Sequence, residues 1–529
     1  MRFPVHARDM PARFNFAQDV LGRQASESPE SIAIVGISPA GIERWTYARV
    51  SEASGRVAAA MLRAGLRKGD RVLLFMPRVP LWQVAFAACL HIGAIPVPCV
   101  TQITGPELAM RARKVGAKGA FTAVGFEDRF SEFSDMLVFR ASLGAGSGWI
   151  SIEGLAQADV PPPPYADMPA REPALLFFTS GSSGPPKAVV HSALGTFVRG
   201  IQPWMQLGMT SSDVIWTSTD TGWTRASSCL FFGAWLFGAR AVIVEQTLGA
   251  AERLALIADQ GITFYCAVST EMRQILAQAN TRPVALPKLR WTHSAGEAMT
   301  AELAEQWSAF TGAPLLVSFG QTETSSMTLT DPTKPSANGM IGKPFPGARM
   351  AVVDASGTEL PRGSEGQLAV DAGHPGLMLG YWEEGGLKPA APVKGWHLTG
   401  DLCVMDEQDN FYYVGRADDI ISSSGYRISP TEVEGALMRH PALAECAVAA
   451  SPDAVRGEVV KAFVVLRSGH AGSEQLAKEL QAQVQQLIAP YKYPRIVEFV
   501  DALPRTANGK LSRRALRDAE FARAKENRP

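Results

Sequence analysis

The residues best suited to chemistry lie in a loop rich in glycine and hydroxyl side chains. It follows the apolar run 174–178, and residues 179–187 read Thr-Ser-Gly-Ser-Ser-Gly-Pro-Pro-Lys. Glycines allow a turn in which successive backbone N–H groups face one concavity, an arrangement that suits phosphate oxygens. The GxxxxGK[ST] spacing of a Walker loop is absent. On its own such a loop is more often a flexible surface turn, but the strand before it and the positive charge of Lys187 favour phosphate binding.

Five further motifs follow in order along the chain. They are Phe319-Gly320-Gln321-Thr322-Glu323-Thr324, Thr399-Gly400-Asp401, Gly415-Arg416-Ala417-Asp418-Asp419-Ile420, Ser424-Gly425-Tyr426-Arg427 and Pro504-Arg505-Thr506-Ala507-Asn508-Gly509-Lys510. Glu323 is a hard carboxylate of the kind that holds magnesium against phosphates. Taken singly, Asp401 and Arg416 would more often form an ordinary surface ion pair, and Lys510 in its Asn-Gly turn would be solvated.

Together the six motifs resemble those of the adenylate-forming superfamily, which includes acyl-CoA synthetases, luciferases and the adenylation domains of peptide synthetases. The stretches SSSGYRISPTEVE, SPDAVRGEVVKAFVV and APYKYPR are most similar to medium-chain acyl-CoA synthetases. The resemblance implies an ATP-dependent acid:CoA ligase. Such an enzyme converts a carboxylate and ATP into acyl-AMP and pyrophosphate, and then passes the acyl group to CoA with release of AMP. ATP, Mg²⁺ and coenzyme A are the implied cofactors.

The resemblance also implies roles for individual residues. The implied ATP-binding residues are Thr179, Ser180, Gly181, Ser182, Ser183, Gly184, Lys187, Gly296, Glu297, Ala298, Ser318, Phe319, Gly320, Gln321, Thr322, Asp401, Arg416 and Lys510. The implied catalytic residues are Thr179, Lys187, Glu323 and Lys510, of which Thr179 and Glu323 would bind the metal. The implied CoA-binding residues are Gln102, Ser424, Gly425, Tyr426, Arg427, Arg456, Tyr493, Pro494 and Arg495. In the family, the lysine of the last motif stabilises the negative charge that develops on phosphoryl oxygens in the transition state.

Three residues are implied in the acyl pocket: Trp223, Gly320 and Thr322. Acetyl-CoA synthetases carry a tryptophan at the position of Gly320, where it walls off this pocket. The glycine therefore predicts a deeper pocket that accepts a medium-chain fatty acid or an aromatic, benzoate-like acid. Trp223 lies in the stretch Thr217-STDTGW and is similar to an aromatic residue that gates the pocket. A buried core tryptophan is the competing interpretation.

Two alternative functions are considered. The first is an acyl-AMP ligase that loads a carrier protein, and the SGYR motif, which is of the CoA type, counts against it. The second is a catalytically silent nucleotide-binding relative that acts as a regulator. Such a relative would be expected to have lost Glu323, Asp401 or Lys510, and all three are present.

The elements that position these residues are predicted to form an α/β domain followed by a smaller α+β domain. From residue 45 to about residue 340, short apolar runs alternate with longer amphipathic stretches, which predicts parallel sheets covered by helices. Strands are predicted at the apolar runs around residues 71, 94, 241, 262, 291 and 315, and a helix is predicted from Pro80 to Gly93. Residues 341–413 are dense in glycine and proline, and are expected to form antiparallel strands or a small barrel. Ser429-Pro430-Thr431-Glu432 has the pattern of a helix start, and the helix is predicted to run to His440. The resemblance to the adenylate-forming superfamily implies an N-terminal adenylation domain over residues 1–417 and a mobile C-terminal domain over residues 418–529, with a hinge near Asp418.

The composition excludes some classes of partner. Lys plus Arg equals Asp plus Glu at 51 each in the 529 residues, which gives no sign of a nucleic-acid surface. The six dispersed cysteines lack metal-binding spacing and indicate free thiols in a reducing compartment. The most apolar run, residues 229–239, is too short to cross a bilayer. We expect a cytoplasmic enzyme whose partners are a small carboxylic acid, ATP and CoA, and a homodimer is left open.

Overall fold

The structure is a computed structural model that describes residues 11–526, apart from positions 145, 147, 180–185, 203, 279–283, 298, 335–336, 424–425, 454–455 and 506–510. Its residues form two compact units. The first unit contains the described residues of 11–179, 186–350 and 370–397, and the second contains those of 351–369 and 398–526. The domain boundary after residue 417 and the hinge at Asp418 remain predictions.

Helices alternate with strands along most of the chain, and strands predominate between residues 315 and 428. The α-helices are α1 (Arg23–Glu27), α2 (Tyr47–Arg63), α3 (Pro80–His91), α4 (Gly105–Val115), α5 (Ile152–Gln157), α6 (Ala193–Ile201), α7 (Thr224–Ala226), α8 (Ala234–Leu236), α9 (Ala250–Asp259), α10 (Ser269–Gln278), α11 (Ala301–Thr311), α12 (Pro430–Leu437), α13 (Glu474–Leu487) and α14 (Arg513–Glu526). Helical segments of wider or tighter pitch are Ala17–Gly22, Glu127–Met136, Ser227–Gly233 and Pro490–Lys492. The strands are β1 (Ile32–Ser38), β2 (Gly41–Thr46), β3 (Arg71–Leu74), β4 (Ile95–Pro98), β5 (Gly119–Ala123), β6 (Phe139–Leu143), β7 (Ile150–Ser151), β8 (Pro173–Thr179), β9 (Lys187–Ser192), β10 (Val214–Thr217), β11 (Arg240–Val244), β12 (Phe264–Cys266), β13 (Trp291–Ala295), β14 (Leu315–Ser318), β15 (Gly320–Gln321), β16 (Ser325–Ser326), β17 (Thr328–Leu329), β18 (Met340–Pro344), β19 (Met350–Val353), β20 (Glu365–Asp371), β21 (Gly380–Glu383), β22 (Gly386–Pro389), β23 (Trp396–Met405), β24 (Phe411–Arg416), β25 (Ile421–Ser423), β26 (Tyr426–Ile428), β27 (Leu443–Asp453), β28 (Gly457–Leu466) and β29 (Ile496–Phe499).

The largest sheet of the first unit has the strand order β14-β13-β12-β10-β11-β1-β2. Its strands are parallel except for β2, which runs antiparallel to β1. Both faces are buried: Leu316 belongs to one hydrophobic cluster, whereas Leu315 and Val317 belong to another. Burial on both faces explains why these strands are almost continuously apolar in sequence.

Two further sheets of the first unit carry loops of the predicted site. A parallel five-stranded sheet has the order β4-β3-β5-β6-β7, and an antiparallel four-stranded sheet has the order β22-β21-β9-β8. The helix predicted from Pro80 to Gly93 is α3, with Pro80 in its first turn. The apolar runs predicted as strands around residues 71, 94, 241, 262, 291 and 315 contain β3, β4 and β11–β14.

The second unit contains antiparallel strands and the C-terminal α+β fold. Strands β24, β23, β20 and β19 lie side by side, and a separate sheet has the order β26-β25-β28-β27, with β29 parallel to β28. The hydroxyl of Ser429 accepts a hydrogen bond from the Glu432 N–H at the start of α12. The helix ends at Leu437 and not at His440 as predicted, because His440 precedes a proline and this position disfavours helical dihedrals.

These sheets confirm the predicted class, an α/β unit followed by a smaller α+β fold. In the described residues, no helix is long and apolar enough to cross a bilayer. All six cysteines are free, and five of them are buried.

Candidate active site

Thr179 and Lys187 lie opposite each other at the ends of two antiparallel strands, β8 and β9. The predicted phosphate loop connects these two positions, and its residues Ser180, Gly181, Ser182, Ser183 and Gly184 lie outside the described residues. Lys187 is exposed, and its Nζ lies 5.3 Å from the centre of the Tyr381 ring. The lysine therefore presents its charge beside the loop that is predicted to bind phosphate.

Tyr381 also contacts Glu323, the predicted magnesium ligand. Its hydroxyl donates to Oε1 of Glu323 at 3.3 Å, and the Met378 N–H donates to the Glu323 carbonyl at 2.7 Å. Tyr381 is held in β21, where it pairs with Val189 of β9. Lys187, Glu323 and Tyr381 therefore form one cluster, which we call the phosphate cluster.

The phosphate cluster fits a magnesium ion that is bound together with phosphates. In the described part of the chain, no group of three or more His, Cys, Asp or Glu residues could hold a metal ion. Mg²⁺ does not need such a group, because it is usually bound by one or two carboxylates, waters and substrate phosphates. Glu323 has a half-buried carboxylate that could bind such an ion, and Thr179 remains the second predicted ligand.

Thr322 is held by a buried histidine and a buried arginine. Nε2 of His191 lies 2.7 Å from the Thr322 carbonyl oxygen, and Nη2 of Arg199 lies 3.5 Å from the same oxygen and 3.0 Å from Nε2. Burial and the nearby guanidinium lower the pKa of His191 well below its usual range, so the ring is neutral. Burial also lowers the pKa of Arg199 to about 10, which leaves it charged at neutral pH. These two side chains fix the backbone directly before Glu323.

Gly320 lies where two backbone segments come into close contact. It pairs with Ser326 in the β15–β16 hairpin. A Cβ atom at Gly320 would fall on the carbonyl oxygen of Ser325 and lie 2.8 Å from Cα of Ser326. The chain therefore requires glycine here for backbone packing. The assignment of Gly320 to the acyl pocket stays a prediction.

The predicted adenine segment follows β13. Gly296 has a φ of 87°, a conformation that glycine adopts without strain. Oε2 of Glu297 accepts hydrogen bonds from the Ser269 hydroxyl at 2.7 Å and from the Thr270 N–H at 3.0 Å. Glu297 thus anchors the start of α10, while Ala298 lies outside the described residues.

The residues on either side of Gly320 are also positioned by hydrogen bonds. The Ser318 hydroxyl lies 2.8 Å from Nε2 of buried His293. The Phe319 N–H donates to the Thr328 hydroxyl at 3.0 Å, and the Gln321 N–H donates to the Thr324 hydroxyl at 3.0 Å. Hydrogen bonds within the motif and from neighbouring side chains therefore order this segment.

Asp220 joins the loop that carries Trp223 to the loop that follows β4. Its Oδ2 accepts from the Thr101 hydroxyl at 2.7 Å and from Nε2 of Gln102, a predicted CoA contact, at 3.3 Å. Its Oδ1 accepts from the Gly222 N–H at 2.9 Å. Trp223 is half-buried and packs against a hydrophobic cluster, so both interpretations of this tryptophan stay open.

In the second unit, Asp401 and Arg416 lie opposite each other on β23 and β24. Nη1 of Arg416 donates to Oδ1 of Asp401 at 3.3 Å, and its Nε donates to Oδ1 of Asp418 at 3.2 Å. Burial disfavours the charged guanidinium, but the two carboxylates outweigh burial and raise the pKa of Arg416. The Asp418 carbonyl accepts from Nη1 of Arg517 at 2.7 Å. The guanidinium of Arg416 therefore connects the predicted ribose contact Asp401 to the predicted hinge residue Asp418.

The predicted CoA residues of the second unit are placed only in part. Tyr426 is 52% exposed and stacks on Tyr491 with ring centres 4.3 Å apart. Nη1 of Arg495 donates to the Tyr493 hydroxyl at 3.0 Å. The Pro494 carbonyl accepts from Nε2 of Gln481 at 3.0 Å, and the Arg456 N–H donates to Asp453 at 2.8 Å. Ser424, Gly425, Lys510 and the side chain of Arg427 lie outside the described residues.

The structure adds four residues that the sequence did not single out: His191, Arg199, Asp220 and Tyr381. Asp220 lies within the TDTGW stretch, which offered a local signal. Tyr381 is separated from Glu323 by 58 residues, and Arg199 from Thr322 by 123 residues, so neither contact has a local signature.

Comparison with known proteins identifies the class. Residues 21–382 match the AMP-binding enzyme family, and residues 432–510 match the AMP-binding enzyme C-terminal domain. The chain belongs to the AMP-binding enzyme family.

Individual relatives refine this assignment. The mitochondrial acyl-coenzyme A synthetase ACSM4 of Homo sapiens is 36% identical over 97% of this chain and 92% of the relative. The structure of the anthranilate CoA ligase AuaEII with anthranoyl-AMP is similar with a TM-score of 0.87 and 27% identity, over 99% of this chain and 100% of that one. A benzoate CoA ligase from Burkholderia xenovorans LB400 is similar with a TM-score of 0.81 and 26% identity, over 95% of this chain and 100% of that one. The predicted AMP-forming acyl-CoA synthetase, with ATP and CoA as substrates, is confirmed.

Proposed function

We propose that this acyl-CoA synthetase activates a medium-chain or aromatic carboxylic acid, and that the phosphate cluster of Lys187, Glu323 and Tyr381 acts on ATP. An aromatic acid is supported by two structural relatives, one of which is a ligase of anthranilate and the other of benzoate. A medium-chain acid is supported by the three sequence stretches that resemble medium-chain synthetases.

The observation that carries the proposal is the convergence of a cation, a carboxylate and a phenol. Lys187 lies over the Tyr381 ring at 5.3 Å, and the Tyr381 hydroxyl bonds Glu323 at 3.3 Å. We assign Lys187 to offset the negative charge of the ATP phosphates, and Glu323 to hold Mg²⁺ with Thr179. Mg²⁺, when bound, would neutralise phosphate charge and orient the phosphates for displacement. Tyr381 would keep the Glu323 carboxylate in one orientation.

In the second unit, we assign Asp401 to the ribose hydroxyls. The Asp401 carboxylate is buried and paired with Arg416, which restricts its orientation. Lys510 would stabilise the charge on the α-phosphoryl group during acyl-AMP formation. Residues 424–427 and the segment around Arg495 would line the passage for CoA, and Asp418 would serve as the hinge between the half-reactions.

A panel of carboxylic acids tests the proposal. Purified enzyme with Mg²⁺ and ATP is assayed for exchange of labelled pyrophosphate into ATP, and then for AMP release with and without CoA. We expect exchange without CoA, and rapid AMP release only when CoA is present. AMP release that needs an acyl carrier protein in place of CoA would point to the carrier-loading alternative, and no exchange with any acid would contradict the proposal.

We also propose that the enzyme acts in the cytoplasm, which the free cysteines support, although the human relative is described as mitochondrial. Fractionation of cells that express the native chain tests this location. We propose that the enzyme forms a homodimer, and light scattering of the purified protein tests this assembly.

A further inference from the structure

The helical segment after Trp223 presents a polar face. From Thr224 to Leu236, every residue is buried except Thr224, Arg225 and Ser228, which are half-buried. Thr224 and Ser228 are four positions apart, so their side chains lie on the same face of the helix, one turn apart. We call the hydroxyls of these two residues the hydroxyl pair.

The same segment contacts the edge of the largest sheet through Arg225. Arg225 donates hydrogen bonds to the main-chain oxygens of Ala267 at 3.4 Å, His293 at 3.5 Å and Ala295. Ala267 directly follows β12 and Ala295 ends β13, so Arg225 contacts the carboxyl ends of two parallel strands. In open α/β sheets, ligands bind along the edge formed by the carboxyl ends of the strands.

Arg199 joins Ser228 to the predicted reaction centre. Its guanidinium donates from Nη1 to the Ser228 hydroxyl oxygen at 3.4 Å and from Nη2 to the Thr322 carbonyl at 3.5 Å. Arg199 is only 3% exposed, so its guanidinium is shielded from solvent. One guanidinium group therefore contacts both the Ser228 hydroxyl and Thr322, the residue that precedes Glu323.

The hydrogen-bonding state of the hydroxyl pair leaves donors available. The Ser228 oxygen accepts from a cation, so its own proton can point to the open side of the helix. The Thr224 hydroxyl has no hydrogen bond to any other described residue. Arg199 Nε is buried, and it too lacks a partner in the described part of the chain. A pocket for a plain hydrocarbon chain would instead be lined by apolar side chains.

We infer that the acyl pocket recognises an acid with a hydrogen-bond-accepting group remote from its carboxylate, and that Thr224 and Ser228 donate to this group. The inference rests on the proposed function and names its substrate class. The accepting group is a neutral oxygen, such as a hydroxyl or ether, or a second carboxylate. An acid that covers these hydroxyls without accepting from them leaves two donors unpaired, at a cost of about 1–3 kcal/mol for each group.

The test compares matched acids on the wild-type enzyme. The pairs are benzoate with 4-methoxybenzoate and with terephthalate, and hexanoate with 6-hydroxyhexanoate and with adipate. The readout is kcat/KM for CoA-dependent AMP formation. At least one oxygen-bearing acid is expected to exceed its unsubstituted partner by about tenfold or more, since each 1.4 kcal/mol corresponds to tenfold. A preference for the methoxy or hydroxy acid would indicate a neutral acceptor, and a preference for the diacid would indicate an anionic one.

Two variants and a matched control assign the preference to the hydroxyl pair. Ser228→Ala and Thr224→Val should each lower, by about tenfold, the ratio of kcat/KM for the preferred acid to kcat/KM for its unsubstituted partner. Ser227→Ala is the control, because this neighbouring hydroxyl is buried and bonds the Thr224 carbonyl within the helix. Thermal melts confirm that all three variants fold.

The outcomes separate the two proposals. Activity with the unsubstituted acids that equals or exceeds activity with every oxygen-bearing partner would overturn the inference and leave the ligase function intact. A preference that survives in Ser228→Ala and Thr224→Val would also overturn it. AMP formation from none of the acids would overturn the proposed function and the inference with it.

Discussion

The hydroxyl of Tyr381 donates to Oε1 of Glu323 across 3.3 Å, from a strand that also places its ring beneath the ammonium group of Lys187. One aromatic side chain thus contacts both charges of the phosphate cluster. This contact orients the carboxylate before any ligand arrives, and preorganised groups stabilise charge without reorganising at the moment of reaction.

Tyr381→Phe tests this contact. The variant keeps the ring under Lys187 but removes the hydrogen bond to Glu323. Because such a bond to a charged group contributes about 1.5–3 kcal/mol at most, we expect the KM for Mg·ATP to rise by about fivefold to tenfold. Steady-state kinetics at varied Mg·ATP measure it. Tyr412→Phe, which removes a bond to Asp406 in the second unit, is the control. An unchanged KM would show that Tyr381 does not position the carboxylate.

Asp401→Asn tests the ribose assignment. The substitution keeps the size of the side chain, but it removes the charge that pairs with Arg416 and that would accept two ribose hydroxyls. We expect affinity for ATP and AMP to fall by about tenfold or more, which is about 1.4 kcal/mol. Calorimetric titration with AMP measures it. Asp409→Asn, at an exposed ion pair with Arg362, should bind AMP normally. Equal effects of both variants would contradict the assignment.

Lys510→Ala tests the separation of the two half-reactions. Loss of a cation that acts on the transition state is expected to slow acyl-AMP formation by about 10²–10³-fold. Thioester formation from supplied acyl-AMP and CoA should be largely kept, since this step does not need charge stabilisation at the α-phosphorus. Equal loss of both rates would show that the lysine is not selective.

Gly320→Ala tests the backbone constraint on the acyl-pocket motif. Its Cβ would fall on the Ser325 carbonyl oxygen, so we expect the free energy of unfolding to fall by about 1–3 kcal/mol. Denaturant unfolding monitored by circular dichroism measures it. Gly435→Ala is the matched control, because nothing lies within 4 Å of its Cβ position in α12, and alanine should stabilise this helix by about 0.5–1 kcal/mol. A Gly320→Ala variant as stable as the wild type would show that the backbone does not require glycine at this position.

His374→Asn tests the acid sensitivity of the first unit. Burial lowers the pKa of His374 from 6.5 to about 4, while Asp371 partly opposes this shift. The unfolded chain therefore takes up a proton between pH 6.5 and 4 that the folded chain does not. The contribution of neutral His374 to the free energy of unfolding is fully present above pH 6.5. It is lost as the pH falls toward 4, and the total loss is about 3 kcal/mol.

Asparagine at position 374 can still accept the hydrogen bond from Gly376 but does not titrate. The variant should therefore lose less stability than the wild type between pH 7 and pH 4.5, as measured by urea unfolding. His470→Asn, at an exposed position, should follow the wild-type profile. A His374→Asn profile that parallels the wild type would contradict the argument.

The sequence predicted those parts of the fold and site that have local causes. Pro80 marks the start of α3, Ser429 caps α12, and the motif around Glu323 follows directly on β14. The end of α12 differs from the prediction by three residues, because the proline after His440 disfavours helical dihedrals before it. Contacts between segments that are distant in sequence could not be predicted from local patterns. Arg199 meets Thr322, and Tyr381 meets Glu323, because strand order brings them together, and a single sequence does not state strand order.

Asp220 has a consequence for engineering. Its carboxylate binds groups on two loops that leave different sheets, one after β4 through Thr101 and Gln102, and one after β10 through Gly222. Transplanting residues 99–104 alone would replace the donors Thr101 and Gln102, whereas transplanting residues 218–223 alone would replace the carboxylate that accepts from them. Exchanges intended to alter acid preference should therefore move residues 99–104 and 218–223 as a pair.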